Sequence, residues 1–414
     1  MVSGLKLISA DEARRVLFDT PAVGTERVRL RDAGGRVLAA DFRATENLPA
    51  ERRAVMDGFA VRAADVAEVS ELQSVTLALV GTVPMGDVFA GAVAAGEAVA
   101  ISTGGFVPTG ADAVVMVEHA STEAGSEGAG RSVEIARAVA PGANVIQPGE
   151  DLREGELVLP AGRRLRPHDL AALATFGAAE VTVYRRPCVA VLSTGNELCE
   201  PSATPRPGQV RDANQYVLGA QVEAAGCAAT YGGIVPDDER ALREAVGRAL
   251  AEHDGVILSG GSSVGTKDVT AEAMLGLPAP GVLFHGIDIR PGKPTLFARA
   301  GGKPVVGMPG FPTSSIVVFD AFIRPMLWRL GGEVGRATWG NRRRARLAKP
   351  HASVVGREDY VRVRLSERDG ETWAEPIAGG SAAISNVVRA DGLVCVEASR
   401  PALSAGDVVD VLLY

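Results

Sequence analysis

Between residues 187 and 331, the apolar positions follow two alternating patterns. Short continuous runs rich in valine, isoleucine and leucine are typical of strands buried on both faces, and longer runs with helical spacing are typical of amphipathic helices. The predicted strands cover 189–192, 228–232, 255–258 and 304–307, and the predicted helices cover 214–225, 239–252, 268–275 and 314–330. This alternation predicts a doubly wound α/β domain, in which helices cover both faces of a parallel sheet.

The N-terminal region has other patterns. Ser9 precedes a run with helical spacing and lies three residues before Glu12, which is the capping-box arrangement, so we expect a helix that ends by Pro21. Apolar runs on both sides of Gly34 and Gly35 predict a hairpin over 28–39. A further helix is expected over 170–176, before a glycine.

Short β-type runs separated by glycine fill 45–147, and short runs that alternate apolar and polar residues follow position 332. The first pattern predicts a β-rich inserted domain, and the second predicts a small C-terminal β-barrel or sandwich. The predicted domains are a discontinuous N-terminal domain over 1–44 and 148–186, the inserted domain over 45–147, the α/β domain over 187–331 and the C-terminal domain over 332–414.

Composition narrows the class of partner. The chain has 414 residues, of which 46% are apolar, and its net charge is −7. This charge argues against general binding to nucleic acid and favours a small ligand held by a local basic patch, so the arginines at 342–344 are interpreted as a solvated strand edge. Four cysteines without metal or disulfide spacing, and no signal-like or membrane-length apolar run, predict a soluble cytoplasmic protein.

A glycine-rich loop follows the predicted strand 255–258 and precedes a predicted helix. Its glycines permit close backbone approach and positive φ, while its hydroxyls and the helix N–H groups suit an anion. The candidate ligand-binding residues of this loop are Gly260, Gly261, Ser262, Ser263 and Gly265. The alternative interpretation is a plain tight turn between a strand and a helix.

Two further loops of similar character, 193–197 and 308–315, follow other strands of the predicted sheet. In a doubly wound sheet all three loops lie at the carboxyl edge, where ligands bind. Candidate residues there are Glu197, Asp237, Asp238 and Asp268 as Mg²⁺ ligands, and Arg290 and Lys293 as phosphate-binding cations. Asp237 and Asp238 directly precede a predicted helix, so capping is the alternative for them.

Candidate polar residues also occur outside the α/β domain. Asp57 and Thr103 each stand beside glycine in the inserted domain, where the alternative is a turn or cap. Glu150 and Asp151 are adjacent carboxylates that can hold a cation or form a solvated turn.

Seven motifs now stand in order along the chain, at 56–62, 102–104, 149–151, 192–198, 260–265, 290–294 and 308–310. Through these motifs the chain resembles, nearly end to end, the molybdopterin molybdotransferases, which insert molybdenum during molybdenum-cofactor assembly and are related to the C-terminal part of gephyrin. The resemblance implies a multi-domain fold: a central α/β domain of the molybdopterin-binding type, a β-rich inserted domain and a C-terminal β-barrel. It also implies an elongated homodimer with other molybdenum-cofactor enzymes as possible partners.

The implied reaction is the Mg²⁺-assisted hydrolysis of adenylylated molybdopterin and the transfer of molybdate to its dithiolene, with release of AMP. Asp57 and Thr103 would act from the neighbouring chain, Arg290 and Lys293 would contact ligand, and acids would hold the metal. The implied metal ligands are Glu197, Asp237, Asp238, Asp268 and Asp151. The implied ligand-binding loops comprise the glycine-rich residues above together with Pro309, Gly310 and Ser314.

The sequence departs from the family pattern in three places. Arg52 and Arg53 replace small polar and acidic residues before Met56, Phe311 replaces an asparagine, and Arg290 replaces a lysine. Because these changes alter charge, hydrogen bonding and stacking, two other functions stay open. One is a non-catalytic carrier or scaffold that binds molybdopterin or molybdate, and the other is an adenylyltransferase acting on molybdopterin. Either molybdate or tungstate fits as the oxyanion.

Overall fold

The protein is described by a computed structural model that covers residues 7–70, 72–123, 131–260, 269–335, 341–380 and 382–414. The chain forms two compact units. The first unit comprises 1–40, 161–171 and 178–414, and the second comprises 41–160 and 172–177. The four domain boundaries given above stay a prediction.

The first unit contains a six-stranded mixed sheet. In spatial order its strands are Ala228–Val235, Cys188–Thr194, Gly255–Ser259, Lys303–Met308, Leu296–Ala300 and Pro280–His285. The first four are parallel and correspond to the four predicted strands, which are confirmed. The last two are antiparallel, so the prediction of a wholly parallel sheet is wrong.

The missed strands carry a recognisable local signal. Ala300 pairs with Lys303 across a two-residue connection, Gly301 and Gly302, and both glycines have positive φ. Such a connection matches the right-handed twist of a hairpin, because positive φ at both positions is accessible to glycine at little cost. A hairpin therefore extends the parallel sheet at one edge.

Helices cover both faces of this sheet, as predicted. One face packs against Ala10–Phe18, Asn214–Ala224, Pro312–Val318 and Arg324–Leu330, and the other packs against Glu239–Glu252 and Val269–Leu275. The predicted helix 314–330 begins two residues earlier and is interrupted by a π-helical turn at Phe319–Ile323. The two faces form separate apolar cores, centred on residues such as Phe284 and Leu242.

The C-terminal part of the first unit is a closed five-stranded β-barrel, which confirms the predicted barrel. Its strands are Arg342–Leu347, Glu358–Arg368, Glu371–Pro376, Gly392–Val396 and Val408–Leu413. Arg343 forms an exposed ion pair with Glu367, in line with a solvated basic face. The strand of Arg343 pairs along 342–346 with Val408–Leu413, but on its other side the pairing covers only Arg346 and Leu347. Among the described residues the three arginines thus lie where one side of the strand is unpaired, as the edge interpretation expects.

The N-terminal helix is confirmed, with the Ser9 side chain accepting a hydrogen bond from the Glu12 amide at 3.2 Å. The hairpin predicted over 28–39 is wrong. Thr25–Arg29 pairs instead with the distant strand Glu180–Tyr184, and a 3₁₀ turn, Leu30–Asp32, follows it. The apolar run before the glycines thus finds a partner far along the chain. The helix predicted over 170–176 is Pro167–Thr175.

The second unit is β-rich, as predicted. Its main sheet has the spatial order Ala113–Met116, Gly58–Val61, Glu97–Ile101, Val75–Thr82, Ser132–Ile135 and Ala120–Glu123, and it contributes to two apolar clusters. Short strand pairs join Arg53–Ala54 to Val145–Ile146 and Phe42–Arg43 to Leu157–Leu159. Over the part of the chain that the structure describes, none of the helices is sufficiently long and apolar to cross a membrane.

The remaining elements are short. Leu198–Cys199 pairs with Val210–Arg211, His351–Ala352 pairs with Ala402–Leu403, and Ile289–Arg290 pairs with the barrel strand Glu358–Arg368. Single-turn helices lie at Ala63–Val66, Val117–His119 and Ser385–Val388. The pairing of Ile289–Arg290 with the barrel brings a predicted cation to the boundary between the α/β sheet and the barrel.

Candidate active site

A cavity of about 1680 Å³ lies within the first unit, between the carboxyl edge of the α/β sheet and the β-barrel. It is lined from the sheet side by loops that follow the parallel strands and from the other side by barrel residues. Seven predicted site residues line it: Glu197, Gly260, Arg290, Lys293, Pro309, Gly310 and Ser314. The expected convergence of loops at one sheet edge is therefore observed.

Gly260 directly follows the strand Gly255–Ser259 and packs against the end of the neighbouring strand Cys188–Thr194. It has a φ of 102°, and a side-chain carbon at this position would lie 2.1 Å from the Thr194 carbonyl oxygen. Its amide donates to Met308 at 3.4 Å and its carbonyl accepts from Thr270 at 3.2 Å. Only glycine fits this position. Gly261, Ser262, Ser263, Gly265 and Asp268 lie outside the described residues.

Glu197 extends from the loop after the strand Cys188–Thr194 and is exposed in the cavity. Its carboxylate folds back over Gly195, where a side-chain carbon would lie only 2.7–2.8 Å from the carboxylate atoms. Its backbone carbonyl accepts from the Val210 amide at 2.8 Å, which ties the loop to a second segment of the cavity wall. The position of this carboxylate thus depends on glycine at 195.

The two adjacent aspartates before the helix Glu239–Glu252 have structural roles. Asp238 accepts from the Ala241 amide at 2.8 Å, so for this residue the capping alternative is confirmed. Asp237 accepts from the Thr194 hydroxyl at 2.7 Å and from the Asn196 amide at 3.3 Å. Asp237 therefore holds the loop that carries Glu197, and neither aspartate is among the described residues that line the cavity.

Within the described ranges, no three histidine, cysteine, aspartate or glutamate side chains come close enough together to hold a metal ion. Glu197 is nevertheless an exposed carboxylate in a cavity with cations. This arrangement fits Mg²⁺ bound through one or two carboxylates and substrate phosphates rather than through an all-protein cage. The assignment of the five predicted acids to Mg²⁺ stays a prediction.

The cavity has more cationic than anionic side chains. Six arginines and lysines, Arg211, Arg290, Lys293, Lys349, Arg357 and Arg362, face four carboxylates, Glu197, Asp212, Asp288 and Asp359, among the described lining residues. Asp359 is buried and already accepts from Arg357 at 2.7 and 3.2 Å. The remaining positive charge suits an anionic ligand.

Sequence reasoning missed the barrel cations. Arg362 is half-buried, and burial lowers its pKa, with the charge of Arg290 adding to this effect. It stands between buried Val361 and Val363 on a strand. The run 360–365 alternates apolar and polar residues, which predicts a half-exposed strand but does not indicate that Arg362 faces the cavity.

Asp57 and Thr103 come together in the second unit. The Asp57 carboxylate accepts from the Thr103 amide at 2.6 Å and from the Thr103 hydroxyl at 3.0 Å. The amide first, and the hydroxyl second, lower the pKa of Asp57. Both side chains are exposed, so this local turn presents an ionised carboxylate to solvent. Asp151 is also exposed, at a turn where the Glu150 carboxylate accepts from the Gln147 amide.

Three family models match the chain: the MoeA N-terminal region (domain I and II) over residues 8–177, a probable molybdopterin binding domain over 190–329 and the MoeA C-terminal region (domain IV) over 344–414. The molybdopterin molybdenumtransferase of Bacillus subtilis is 33% identical, over 98% of this chain and 94% of the relative. The enzyme of the same name from Haemophilus influenzae is 32% identical, over 98% of each chain.

The chain belongs to the MoeA family. A crystal structure of a molybdopterin biosynthesis MoeA protein from Pyrococcus horikoshii OT3 has a TM-score of 0.83 and 30% identity, and the match covers 99% of this chain and 100% of that chain. The sheet side of the cavity lies in the region that matches the probable molybdopterin binding domain, and the barrel side lies in the MoeA C-terminal region.

Both arginines of the first departure from the MoeA pattern, Arg52 and Arg53, have local structural partners. Arg53 donates to the Gly104 carbonyl at 2.8 Å and stacks on Phe106 at 4.1 Å, while Arg52 donates to the Ala111 carbonyl at 3.0 Å. Both guanidinium groups are thus engaged by the backbone of the second unit. Arg53 holds the residue next to Thr103, and so it supports the turn that binds Asp57.

Proposed function

We propose that the protein is a molybdopterin molybdenumtransferase, which transfers molybdate to the dithiolene of adenylylated molybdopterin and releases AMP. The observation that carries this proposal is the single cavity lined by seven residues of the family motifs, with an excess of cations. Two relatives that bear this name are 33% and 32% identical in sequence to this chain over 98% of its length. A large concave pocket on which polar groups converge is the default hypothesis for a small-molecule site.

Arg290 and Lys293 are two of the exposed cations on the sheet side, where Arg211 is a third. They would bind the phosphate and molybdate oxygens of the substrates and stabilise the negative charge that develops when the phosphoanhydride breaks. Arg362 adds a half-buried positive charge from the barrel, where the lower dielectric strengthens its attraction to an anion. The backbone at Gly260 and Gly310, together with the Ser314 hydroxyl, would orient the phosphate of the pterin.

Glu197 would hold Mg²⁺ in the cavity together with Asp268 and the substrate phosphates. When bound, Mg²⁺ would supply charge neutralisation at the phosphate oxygens. Asp237 keeps the Glu197 loop in place through its bonds to Thr194 and Asn196. Asp151 belongs to the same proposed metal set.

The proposal also includes a cytoplasmic homodimer. In this dimer Asp57 and Thr103 of one chain would act on the substrate that is bound by the other chain. The geometry supports a role as an anionic ligand or hydrogen-bond acceptor, because Thr103 holds the exposed Asp57 carboxylate in place. The depressed pKa makes this carboxylate a weak base. Other enzymes of molybdenum-cofactor assembly are the proposed partners.

The test is incubation of the purified protein with adenylylated molybdopterin, Mg²⁺ and molybdate while AMP is measured. We expect AMP only when Mg²⁺ and the oxyanion are both present, because hydrolysis and transfer are coupled. Tungstate in place of molybdate measures the choice of oxyanion. If the protein binds the substrate tightly but releases no AMP under any of these conditions, its function is that of a carrier and not of a transferase.

A further inference from the structure

Phe311 presents an exposed aromatic ring inside the cavity. It lies in the loop between the strand Lys303–Met308 and the helix Pro312–Val318, and 55% of the residue is solvent-accessible. None of the apolar cores formed by the described residues includes it. A phenylalanine left in water forgoes the free energy of burial, and its place in the cavity makes this apolar surface available to a bound ligand.

The backbone that carries this ring is held in place. The Phe311 carbonyl accepts from the amides of Ser314 and Ser315 at 2.9 and 3.0 Å, and the Asn214 side chain donates to the Gly310 carbonyl at 2.7 Å. Pro312 restricts the chain on one side of the ring. A ring on a fixed backbone loses little freedom when a ligand stacks on it, so the site is preorganised.

Other exposed apolar side chains line the same cavity. Val210, Val354, Val355 and Ile384 are each 48–63% accessible, and each lines the cavity with Phe311. The cavity therefore combines an apolar surface with the cations described above. This combination suits a ligand that has a flat aromatic ring and an anionic group.

We propose that Phe311 is a specificity-determining residue that stacks on the fused heteroaromatic ring of the substrate, while the cations of the cavity bind its phosphate. This inference rests on the proposed function and deepens it. Adenylylated molybdopterin has two flat nitrogen heterocycles that can stack on a phenylalanine: the pyrimidine portion of its pterin and the adenine. The asparagine that the family pattern places at this position lacks an aromatic face.

The test is isothermal titration of the full-length protein with three probes: AMP, a pterin monophosphate without a dithiolene, and inorganic phosphate. The variants are Phe311→Leu, which keeps apolar volume but removes the ring face, and Phe311→Tyr, which keeps the face. Tyr216→Leu is the control, since Tyr216 is an aromatic residue of similar exposure that is not among the described residues lining the cavity.

We expect Phe311→Leu to weaken binding of at least one ring-bearing probe by about fivefold or more, as loss of a base–aromatic stack does. The probe that is affected identifies the stacked ring. Inorganic phosphate should bind equally to every variant, and Phe311→Tyr and Tyr216→Leu should resemble the wild type. Unchanged affinity of Phe311→Leu for both ring-bearing probes, or no binding of either probe to the wild type, overturns the proposal.

Turnover separates this inference from the proposed function. In the AMP-release assay, Phe311→Leu should raise KM for adenylylated molybdopterin by a similar factor. If the wild type releases no AMP but ring binding still depends on Phe311, the transferase proposal fails and the stacking proposal stands. If turnover is normal and KM is the same in Phe311→Leu, only the stacking proposal fails.

Discussion

The smallest feature that controls the candidate site is the absence of a side chain at position 195. Gly195 has a φ of 154°, and the Glu197 carboxylate occupies the space that a side chain would need. Any larger residue must displace the carboxylate, which belongs to a flexible side chain, in addition to straining the backbone. One glycine thus determines where the cavity presents its proposed metal ligand.

Gly195→Ala should therefore lower the rate of AMP release by roughly 10–100-fold, the range for disturbed support of a metal ligand, and should raise the Mg²⁺ concentration needed for half-maximal rate. Steady-state kinetics at several Mg²⁺ concentrations measure both effects. Gly208→Ala is the matched control, because Gly208 also has positive φ but no neighbour within 4 Å. Equal losses in the two variants would assign the effect to backbone strain alone.

Thr103 offers a second prediction at this scale. Its amide and hydroxyl lower the pKa of Asp57, so Thr103→Val, which keeps the amide and removes the hydroxyl, should raise that pKa towards its ordinary value. On acidification the carboxylate is then protonated at a higher pH than in the wild type. Carbon NMR of the Asp57 carboxyl follows the titration directly.

If Asp57 acts as an ion in turnover, the acidic limb of the pH–rate profile should move to higher pH in Thr103→Val. Thr103→Ser retains the hydroxyl and should leave both the pKa and the profile as they are. A carboxyl titration that is identical in the valine and serine variants contradicts the role of the hydroxyl bond.

Single residues also show how far sequence could predict the site. Glu197, Arg290 and Lys293 were identifiable because each lies in a polar or glycine-containing segment near the end of an apolar run. Arg357 and Arg362 were not, since their place in the cavity depends on how the barrel packs against the sheet, which no local pattern encodes. Asp238 shows the opposite error, in which a predicted site residue has a structural role. A helix-capping aspartate and a metal-binding aspartate cannot be distinguished from the sequence alone.

At the scale of elements, local sequence patterns predicted helices and strands correctly where the structure depends mainly on residues close together in the sequence. The helix Glu239–Glu252 has the predicted bounds because its N-cap, Asp238, directly precedes it and its apolar face lies within it. Thr25–Arg29 was predicted wrongly because its partner strand, Glu180–Tyr184, is more than 150 positions away. Turn residues predict that a chain reverses, but they do not specify the strand with which it pairs.

A buried polar cluster joins the N-terminal helix to the barrel. Arg14 donates to both Glu358 oxygens at 3.0 and 2.6 Å and to the Tyr360 hydroxyl at 2.8 Å. Its guanidinium also lies 5.1 Å from the Phe322 ring centroid. Because Glu358 and Tyr360 flank Asp359 on the cavity wall, this cluster fixes the strand that lines the site.

Arg14→Ala should lower the free energy of unfolding by on the order of 2 kcal/mol, since it leaves the nearly buried Glu358 carboxylate without its charged partner. Denaturant unfolding with two spectroscopic probes measures the change. The matched control is Arg240→Ala, which removes an exposed i,i+4 pair with Glu244 and should cost less than about 0.5 kcal/mol. Similar losses in both variants would show that burial of the Arg14 pair contributes nothing extra.

At the scale of the molecule, the proposed site needs two chains, because Asp57 is assigned to one subunit and Glu197 to the other. Homodimers of Asp57→Asn and of Glu197→Gln should each be inactive. Mixed dimers would contain one site with both changes and one with neither. With half of the dimers mixed, activity should return to about a quarter of the wild type.

Co-refolding of the two variants, followed by the AMP-release assay, tests this arrangement. The control pair is Glu197→Gln with Lys293→Gln. Because both residues line the cavity of the same chain, each site in a mixed dimer still carries one of the two substitutions. No activity should return in that pair. Absence of recovery in the Asp57 and Glu197 pair as well would place both residues in a single subunit.

During translation, Arg14 is made 344 residues before Glu358. The helix Ala10–Phe18 therefore emerges from the ribosome before the α/β sheet, yet barrel residues that share its apolar core, such as Tyr360 and Leu412, emerge after that sheet. The barrel wall of the cavity, which begins at Lys349, arrives equally late. Substrate therefore meets both walls of the cavity only after the α/β sheet and the barrel have both been synthesised.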